Sequence, residues 1–347
     1  MQIDFLATQP HFIDHLAPVW DTLAEQNVGT FYVPQHLLGH SQSRLKHRLY
    51  LFSYEGEVFR EYGSDPMLVC SYGDMLYARE INPTRRIFMM EHGTGHTFGK
   101  PPHPNGIGKR DWVELFLSPN QYTVEKIKSV RPWADCDIIG TPKLDAIYKE
   151  LNPNGLEIKF AYNNPPTIAI GFHWGHQHTR PPENGSAFEH YKDYIPTLAK
   201  EYKLLGYGHP IYRDIYKPFY EERGIEYVDD FYEVMRRADI CLNDLSSALY
   251  EFLVTGKPVI VLNAPWFRRD IDHGIRFWDY SMIGVHVNDP SGLLEAIEHT
   301  LDNYLLVNVQ GRRQAIQDLY PYLGCSAERT AGLLSEYLSE EDNVKSI

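Results

Sequence analysis

Two histidines and a threonine stand among glycines in residues 91–99, EHGTGHTFG, directly after the apolar run IFMM. Glycine lets a backbone approach a ligand closely and offers N–H groups to an anion, while histidine can accept a proton near neutral pH. His92 is therefore a candidate base beside an anion, and Thr94 and His96 lie in the same loop. Local hydrogen bonds within a glycine-rich loop would explain both histidines equally well.

Two adjacent serines mark a second candidate site, at the start of the helix predicted for SSALYEFLVTG, which follows the strand DIC. The unpaired N–H groups of a helix N-terminus, its positive dipole end and the hydroxyls of Ser246 and Ser247 together suit a diphosphate. Capping of the helix accounts for one polar residue of this turn but not for both serines. One turn later Glu251 is placed to accept hydrogen bonds from a ribose, although a solvent-facing glutamate is the commoner arrangement.

The segment GFHWGHQHTR, residues 171–180, concentrates three histidines. His173, His176 and His178 could offer three nitrogens to zinc or another transition metal. Arg180 suits an anion better than a metal, which weighs against a metal site.

Two further segments carry charge. Arg268, Arg269 and Arg276 lie in WFRRDIDHGIRFW after the apolar strand PVIVLN. They could hold donor phosphates or an anionic acceptor, or form a solvated basic segment. The run DCD at 135–137 has the spacing of a metal-binding aspartate pair, but it lies at the start of a strand, and we interpret it as a strand edge.

The composition is that of an ordinary globular protein. The 347 residues include 33 basic and 46 acidic side chains, a net charge of −13, which repels nucleic acid over most of the surface. No apolar run approaches the ~18 residues of a membrane span and the N-terminus lacks the pattern of a secretory signal, which predicts a cytoplasmic protein without a membrane span. The four cysteines are widely spaced, so we expect buried, reduced thiols.

Short apolar runs alternate with helical patterns, which predicts an α/β protein of two Rossmann-like lobes with parallel sheets and a cleft between them. We predict one lobe at 1–150 and a second at 165–310, joined by a linker at 151–166. Residues 311–347 are predicted to form C-terminal helices and a frayed tail, LSEEDNVKSI. Ligands of parallel sheets bind beyond the carboxyl ends of the strands, where the glycine-rich loop and the serine pair both fall.

Four motifs occur in order along the chain: HGTG at 92–95, GTPKLD at 140–145, GHP at 208–210 and NDLSSALYEFLVTGKPVIV at 243–261. Together they resemble the motifs of CDP-glycerol glycerophosphotransferase-like proteins, the relatives of the teichoic-acid polymerases. The resemblance covers roughly residues 85–265. It implies the two-lobed glycosyltransferase B fold.

The resemblance also implies roles for individual residues. His92 matches the histidine that deprotonates the acceptor hydroxyl, which makes Thr94 and His96 candidates for the acceptor side and 1–150 the acceptor-side lobe. His209 matches a histidine that contacts the donor phosphates, which makes 165–310 the nucleotide-donor lobe. Ser246 and Ser247 would bind the same diphosphate, and Asp145 would lie near the cleft between the lobes. In this fold the donor's diphosphate is neutralised by helix dipoles and basic side chains, so the resemblance implies no metal and no other cofactor.

In the glycosyltransferase B fold, the loop after the first strand of the second lobe faces the donor, which makes Gly171, His173 and Arg180 candidates for donor binding. Arg268 joins them as a candidate for the phosphates. The chain departs from the family pattern at Glu91, where tryptophan is usual, at Leu245, where tyrosine is usual, and in GHTFGK after the threonine. These departures leave the donor and the acceptor open.

We therefore predict a transferase, either a glycosyltransferase or a glycerophosphotransferase. It would move a glycosyl or glycerol-phosphate group from a nucleotide-activated sugar or CDP-glycerol to an acceptor hydroxyl. A polysaccharide, teichoic acid, a lipid-linked sugar and a modified nucleobase are all acceptors that the sequence leaves open. The alternatives are a sugar-nucleotide epimerase of the same fold and a nucleotide-sugar binding protein without catalysis. A metal-dependent hydrolase built on the histidines of 173–178 is the weakest.

Overall fold

The computed structural model describes residues 2–23, 28–46, 51–54, 66–93, 111–156, 162–174, 186–244, 246–267 and 281–345. The chain divides into two compact units, Met1–Ala146 with Asp318–Ile347, and Ile147–Gln317. Each unit contains one sheet, and every strand pair that the structure describes is parallel. The predicted α/β fold with two parallel-sheet lobes is confirmed.

The strands of the first unit are β1 Ile3–Leu6, β2 Val28–Pro34, β3 Leu51–Tyr54, β4 Met67–Val69, β5 Ile87–Met90, β6 Val113–Ser118 and β7 Asp135–Ile138. Those of the second unit are β8 Thr167–Phe172, β9 Lys203–Gly208, β10 Glu226–Tyr227, β11 Ile240–Asn243, β12 Val259–Leu262 and β13 Gly284–Val287. The α-helices, in chain order, are α1 Pro10–Leu23, α2 Leu38–Arg44, α3 Tyr72–Ile81, α4 Gln121–Val130, α5 Asp145–Leu151, α6 Phe188–Tyr191, α7 Ile195–Glu201, α8 Arg213–Glu221, α9 Phe231–Arg237, α10 Ser247–Phe252, α11 Leu293–Asp302, α12 Val309–Leu319 and α13 Ser326–Lys345.

The central strands are buried along their whole length because helices cover both faces of the sheet. In the first unit β1, β4 and β5 consist of buried residues only, and two separate cores lie on opposite faces. Their sequences are near-continuous apolar runs, as is typical of parallel strands. The aspartate in β1, Asp4, is neutralised by Arg85 and accepts the N–H of Thr30 at 2.7 Å. Polar chemistry is thus confined to the strand ends.

The order of the strands reverses once in each sheet. The first sheet runs β3-β2-β1-β4-β5-β6-β7 and the second β10-β9-β8-β11-β12-β13. The reversals fall between β1 and β4 and between β8 and β11. In open parallel sheets the crevice that receives a ligand forms at such a reversal, outside the carboxyl ends of the strands.

Two elements differ from the sequence prediction. The segment HSQSRLKHRLYLF, residues 40–52, has the pattern of a basic helix, but α2 ends at Arg44 and Leu51–Tyr54 pairs with β2 as an additional strand. Helix α8 was not predicted, because Pro218 interrupts its pattern and its buried face consists of Tyr216 and Tyr220. Because tyrosine is also common on surfaces, its spacing does not indicate a buried helix face as aliphatic residues would.

The C-terminal segment packs on the first unit. The predicted frayed tail is wrong, since α13 continues to Lys345, and its residues Leu334 and Leu338 belong to the core around β1. Asp145 attaches the helix: its carboxylate accepts the buried N–H groups of Gly324 at 2.9 Å and of Ala327 at 2.8 Å. These contacts group residues 318–347 with 1–146, whereas the sequence treated 311–347 as a separate segment.

All four cysteines are free thiols. Cys70 and Cys241 are buried as expected, whereas Cys136 is partly exposed and Cys325 is exposed, so the expectation of burial is wrong for these two. Within the described part of the chain, every helix is too short or too polar to cross a bilayer.

We expect Asp145→Ala to lower the free energy of unfolding by about 2–4 kcal/mol, because it leaves two buried N–H groups without an acceptor. Urea denaturation measures this change. Asp135→Ala is the matched control, since Asp135 is exposed on the edge strand β7 and its removal should change stability by less than about 0.5 kcal/mol. Equal effects of the two substitutions would refute the attachment role.

Candidate active site

His92 lies at the carboxyl end of β5, next to the strand-order reversal of the first sheet. The chain leaves the sheet through Glu91, whose N–H still donates to Leu117 O at 3.1 Å. Gly93 then adopts φ of 78°, a left-handed conformation that favours glycine. The first glycine of the motif is therefore explained by the turn that exposes His92.

Backbone and ring contacts fix the imidazole of His92. Its Nδ1 hydrogen-bonds the carbonyl oxygen of Cys70, directly after β4. A carbonyl oxygen only accepts, so Nδ1 carries the proton and Nε2 of the neutral ring holds the lone pair. The centroids of Phe12, His11 and His15, all on α1, lie 4.9, 5.9 and 6.1 Å from that of His92. The geometry suits a general base acting through Nε2.

A buried carboxyl group lies near Cys70, the backbone partner of this histidine. Asp74, in the first turn of α3, is 0% exposed, and its Oδ1 accepts a hydrogen bond from the hydroxyl of Thr8 after β1. Burial raises the pKa of Asp74 to about 7, against the lowering effect of hydrogen bonds from Thr8 and Ser71. Burial, followed by the charge of Asp74, also raises the pKa of the Cys70 thiol. Asp74 therefore belongs to the environment of the His92–Cys70 bond.

In the second unit, two predicted donor-binding histidines lie together. His173 follows β8 and His209 follows β9, with ring centroids 5.2 Å apart, and the centroid of Trp174 is 6.0 Å from each. Nδ1 of His209 accepts the N–H of Ile211 at 3.3 Å. In the neutral ring the proton is then on Nε2, which can donate to an anion. The tautomer of His209 is thus opposite to that of His92.

Asp244 connects the loop after β8 with the turn before α10. One carboxylate oxygen accepts the N–H of His173 at 2.8 Å, and the other accepts the N–H of Ala187 at 2.8 Å and the hydroxyl of Ser186 at 3.1 Å. Three donors therefore compensate a carboxylate that is 3% exposed. The connection brings His173 and the serine pair to the same strand-order reversal of the second sheet.

Both predicted serines begin α10. Ser246 is the N-cap, with its hydroxyl accepting the N–H of Ala248 at 3.2 Å, and Ser247 is the first helical residue. Glu251 is 2% exposed, which excludes the solvent-facing arrangement. Gly171 lies inside β8, where a Cβ would meet the ring of Tyr207 at 2.5 Å, so packing already requires glycine there. The ligand contacts of these four site residues stay predictions.

The remaining predicted site residues, Thr94, His96, Arg180 and Arg268, lie outside the described residues, as do His176 and His178. In the part of the chain that the structure describes, no group of three histidine, cysteine or carboxylate side chains is arranged to hold a metal.

The lysine of the GKP motif has a structural task. Nζ of Lys257 donates to the carbonyl oxygens of Met235 at 3.1 Å, Arg236 at 3.3 Å and Ala238 at 2.6 Å, at the carboxyl end of α9. A cation there satisfies the last carbonyls of the helix and its negative dipole end.

Sequence reasoning missed Thr8, His11, His15 and Asp74. His11 and His15 are four residues apart on α1, and that spacing places both on one face of a helix. Thr8 and Asp74 each follow a buried strand, in the position where ligands of parallel sheets bind. Those two signals were available, but only the sheet order makes these residues neighbours.

A sequence model of the family described as CDP-Glycerol:Poly(glycerophosphate) glycerophosphotransferase matches residues 103–316. No curated protein matches the sequence significantly.

Three solved structures are similar over nearly the whole chain. The wall teichoic acid polymerase TagF has a TM-score of 0.62 at 14% identity, and the match covers 98% of this chain and 90% of the TagF chain. MnaA of S. aureus with UDP has a TM-score of 0.63 at 16% identity, and the match covers 98% of this chain and 97% of MnaA. UDP-GlcNAc 2-epimerase of Methanocaldococcus jannaschii with UDP-GlcNAc and UDP has a TM-score of 0.62 at 13% identity. The match covers 97% of this chain and 100% of the epimerase chain. At these identities the likeness establishes the fold, which is of the glycosyltransferase B type.

We expect Lys257→Met to lower the free energy of unfolding by about 1–2 kcal/mol through the lost charged hydrogen bonds, while nucleotide affinity is unchanged. Denaturation and calorimetric titration measure the two effects separately. Lys200→Met on the exposed face of α7 is the control and should change neither. Weaker nucleotide binding by the Lys257 variant would instead assign its ammonium to the ligand.

Proposed function

Because the chain belongs to the CDP-glycerol:poly(glycerophosphate) glycerophosphotransferase family, it is a transferase that uses a nucleotide-activated donor, and we propose that this donor is CDP-glycerol. The proposed acceptor is the terminal hydroxyl of a glycerophosphate polymer of the teichoic-acid type. The family description names both substrate classes, and TagF, which has the same fold, is a wall teichoic acid polymerase.

The observation that carries the proposal is the hydrogen bond from Nδ1 of His92 to the carbonyl of Cys70. It selects the tautomer in which Nε2 can take a proton, as a general base requires. The acceptor oxygen attacks the phosphorus that bears glycerol, and the bond from this phosphorus to the bridging oxygen breaks. CMP leaves with the electron pair, and the acceptor's proton passes to Nε2 of His92.

The donor side is assigned to the second unit. Nε2–H of His209 and the hydroxyls of Ser246 and Ser247 donate to the diphosphate, and His173 completes this side. Three hydrogen-bond donors satisfy the carboxylate of Asp244, which reduces its repulsion of the anion. Positioning of the phosphates and stabilisation of developing charge supply most of the catalysis in phosphoryl transfer.

We assign the contact with the donor's ribose to Glu251. Its buried carboxylate lies in α10, the helix that begins at the serine pair. Gly171, Arg180 and Arg268 complete the proposed donor side, and Thr94 and His96 the acceptor side.

A sugar-nucleotide epimerase is the second candidate, because solved epimerases share the fold. An epimerase changes its nucleotide sugar without any acceptor, whereas the transferase releases CMP only when an acceptor is present. Analysis of the products separates these two activities. Tight donor binding with no product of either kind would indicate a binding protein.

We expect His92→Ala to lower kcat by about 10²–10⁴-fold, the usual contribution of a general base, with the donor's dissociation constant unchanged. Release of CMP from CDP-glycerol measures kcat, and calorimetry measures binding. His36→Ala, on the exposed surface of the first unit, is the control and should retain activity. Full activity of the His92 variant would remove the base assignment.

A thermal-shift panel tests the donor. CDP-glycerol at about 100 times its dissociation constant should stabilise the native protein by about 2.7 kcal/mol, more than UDP-sugars, GDP-sugars or CMP. The double variant Ser246→Ala, Ser247→Ala should lose this shift relative to its own unliganded melting temperature. Ser129→Ala, an exposed serine of α4, should keep it. Stabilisation by a UDP-sugar alone would overturn the choice of donor.

Helix ends, hydroxyls and imidazoles are sufficient for the donor's charge, so the proposal includes no metal. We expect EDTA treatment followed by dialysis to leave CMP release unchanged. Loss of activity that added zinc or magnesium restores would reverse this assignment and direct attention to residues 173–178.

A further inference from the structure

We infer that Asp74 is a positioning residue for the base: through Thr8 it holds together the two segments that fix His92, and its carboxylate supports the imidazolium that His92 becomes. The inference rests on the proposed function, since it takes His92 as the base. Four observations lead to it.

The first observation is a hydrogen bond that joins Asp74 to a distant segment of the chain. Ser71 is the N-cap of α3 and accepts the N–H of Asp74 at 2.9 Å, so Asp74 has the third helical position, from which an acidic side chain commonly bonds back to the cap. In addition to the hydrogen bond from Ser71, the Asp74 carboxyl accepts the hydroxyl of Thr8, 66 residues away, at Oδ1. Among the described residues, Oδ2 has no hydrogen-bond partner.

The second observation is the position of the Thr8–Asp74 bond. Thr8 follows β1 and Asp74 follows β4, the two strands between which the order of the first sheet reverses. The bond therefore spans the crevice where a parallel sheet binds its ligand.

The third observation is that the same two segments hold His92. Two residues after Thr8, α1 begins and carries His11, Phe12 and His15 to the His92 ring. Four residues before Asp74, Cys70 provides the carbonyl that binds Nδ1. The Thr8–Asp74 bond therefore joins the two segments that contact the histidine.

The fourth observation is energetic. A carboxylate that is 0% exposed, with one oxygen lacking a hydrogen-bond partner among the described residues, carries a desolvation cost. The pKa of Asp74 is raised to about 7, so the folded state disfavours the charged form relative to the unfolded chain. The cost is absent below about pH 4 and complete above about pH 7. A group retained at such a cost is expected to serve function.

Several other ionisable groups surround the bond between His92 and Cys70. Those that act on the Cys70 thiol besides Asp74, or that contact the His92 ring, are Glu91 after β5, Lys143 after β7, and Asp14, His11 and His15 on α1. All of them remain in an Asp74→Asn variant, so changes in that variant report on the Asp74 carboxylate itself.

Asp74→Asn keeps an acceptor for Thr8 and removes the charge. We expect kcat/KM to fall at least about 10-fold at pH 7.5, with donor affinity unchanged. The acid limb of the log kcat/KM profile should change from a slope of about 2, for loss of protons from both Asp74 and His92, to about 1. At pH 8 the variant should melt at a higher temperature than the wild type, because the buried charge is gone.

Two controls separate positioning from packing. Thr8→Val breaks the bond but keeps the titrating carboxyl, so it should lower kcat/KM while the steep acid limb remains. Asp135→Asn, on the exposed edge strand, should change neither rate nor slope. An Asp74→Asn variant with wild-type kcat/KM, or with the unchanged steep limb, would overturn the inference.

A readout independent of turnover distinguishes failure of this inference from failure of the proposed function. NMR titration of the His92 imidazole should show its midpoint at lower pH in Asp74→Asn than in the wild type, because a neighbouring negative charge favours imidazolium. If wild-type protein releases no CMP, the transferase proposal fails, but the titration still tests the coupling. An unchanged midpoint overturns the inference, whatever the activity.

Discussion

The structure depends on one constraint: each parallel sheet is covered by helices, so its central strands have no face left for polar chemistry. In the first unit β1, β4 and β5 are buried at every residue, and in the second unit β8, β11 and β12 are as well. Functional side chains can therefore lie only beyond the strands, in the turns and on the helices that follow them. The reversal of strand order in each sheet then selects which turns border a crevice.

Backbone hydrogen bonds in those turns give two histidines opposite tautomers. Nδ1 of His92 meets a carbonyl oxygen and must donate, whereas Nδ1 of His209 meets an N–H and must accept. The first ring is left with a lone pair on Nε2 and the second with a proton there. Histidine can thus offer a proton acceptor at one position and a hydrogen-bond donor at the other, through the local backbone alone.

Several motif residues are explained by the fold before any ligand is considered. Lys257 completes the end of α9, Asp145 attaches α13, and Gly171 makes room for the ring of Tyr207. Asp74 is the opposite case, because its burial costs stability and packing does not require its charge. The first three residues thus have a structural explanation, whereas the charge of Asp74 has none in the packing.

Much of the fold follows from the sequence, because apolar runs, glycine stops and caps act over a few residues. The alternation of strands and helices, the turn at His92 and the serine pair at α10 were all readable, and the motifs in 92–261 indicated the family. The partners of these elements were not readable. The Thr8–Asp74 bond, the packing of α1 against His92, the buried tyrosine face of α8 and the return of α13 to the first unit join residues far apart in the chain. Sheet order and close packing decide such contacts, and the local periodicity of the sequence does not predict them.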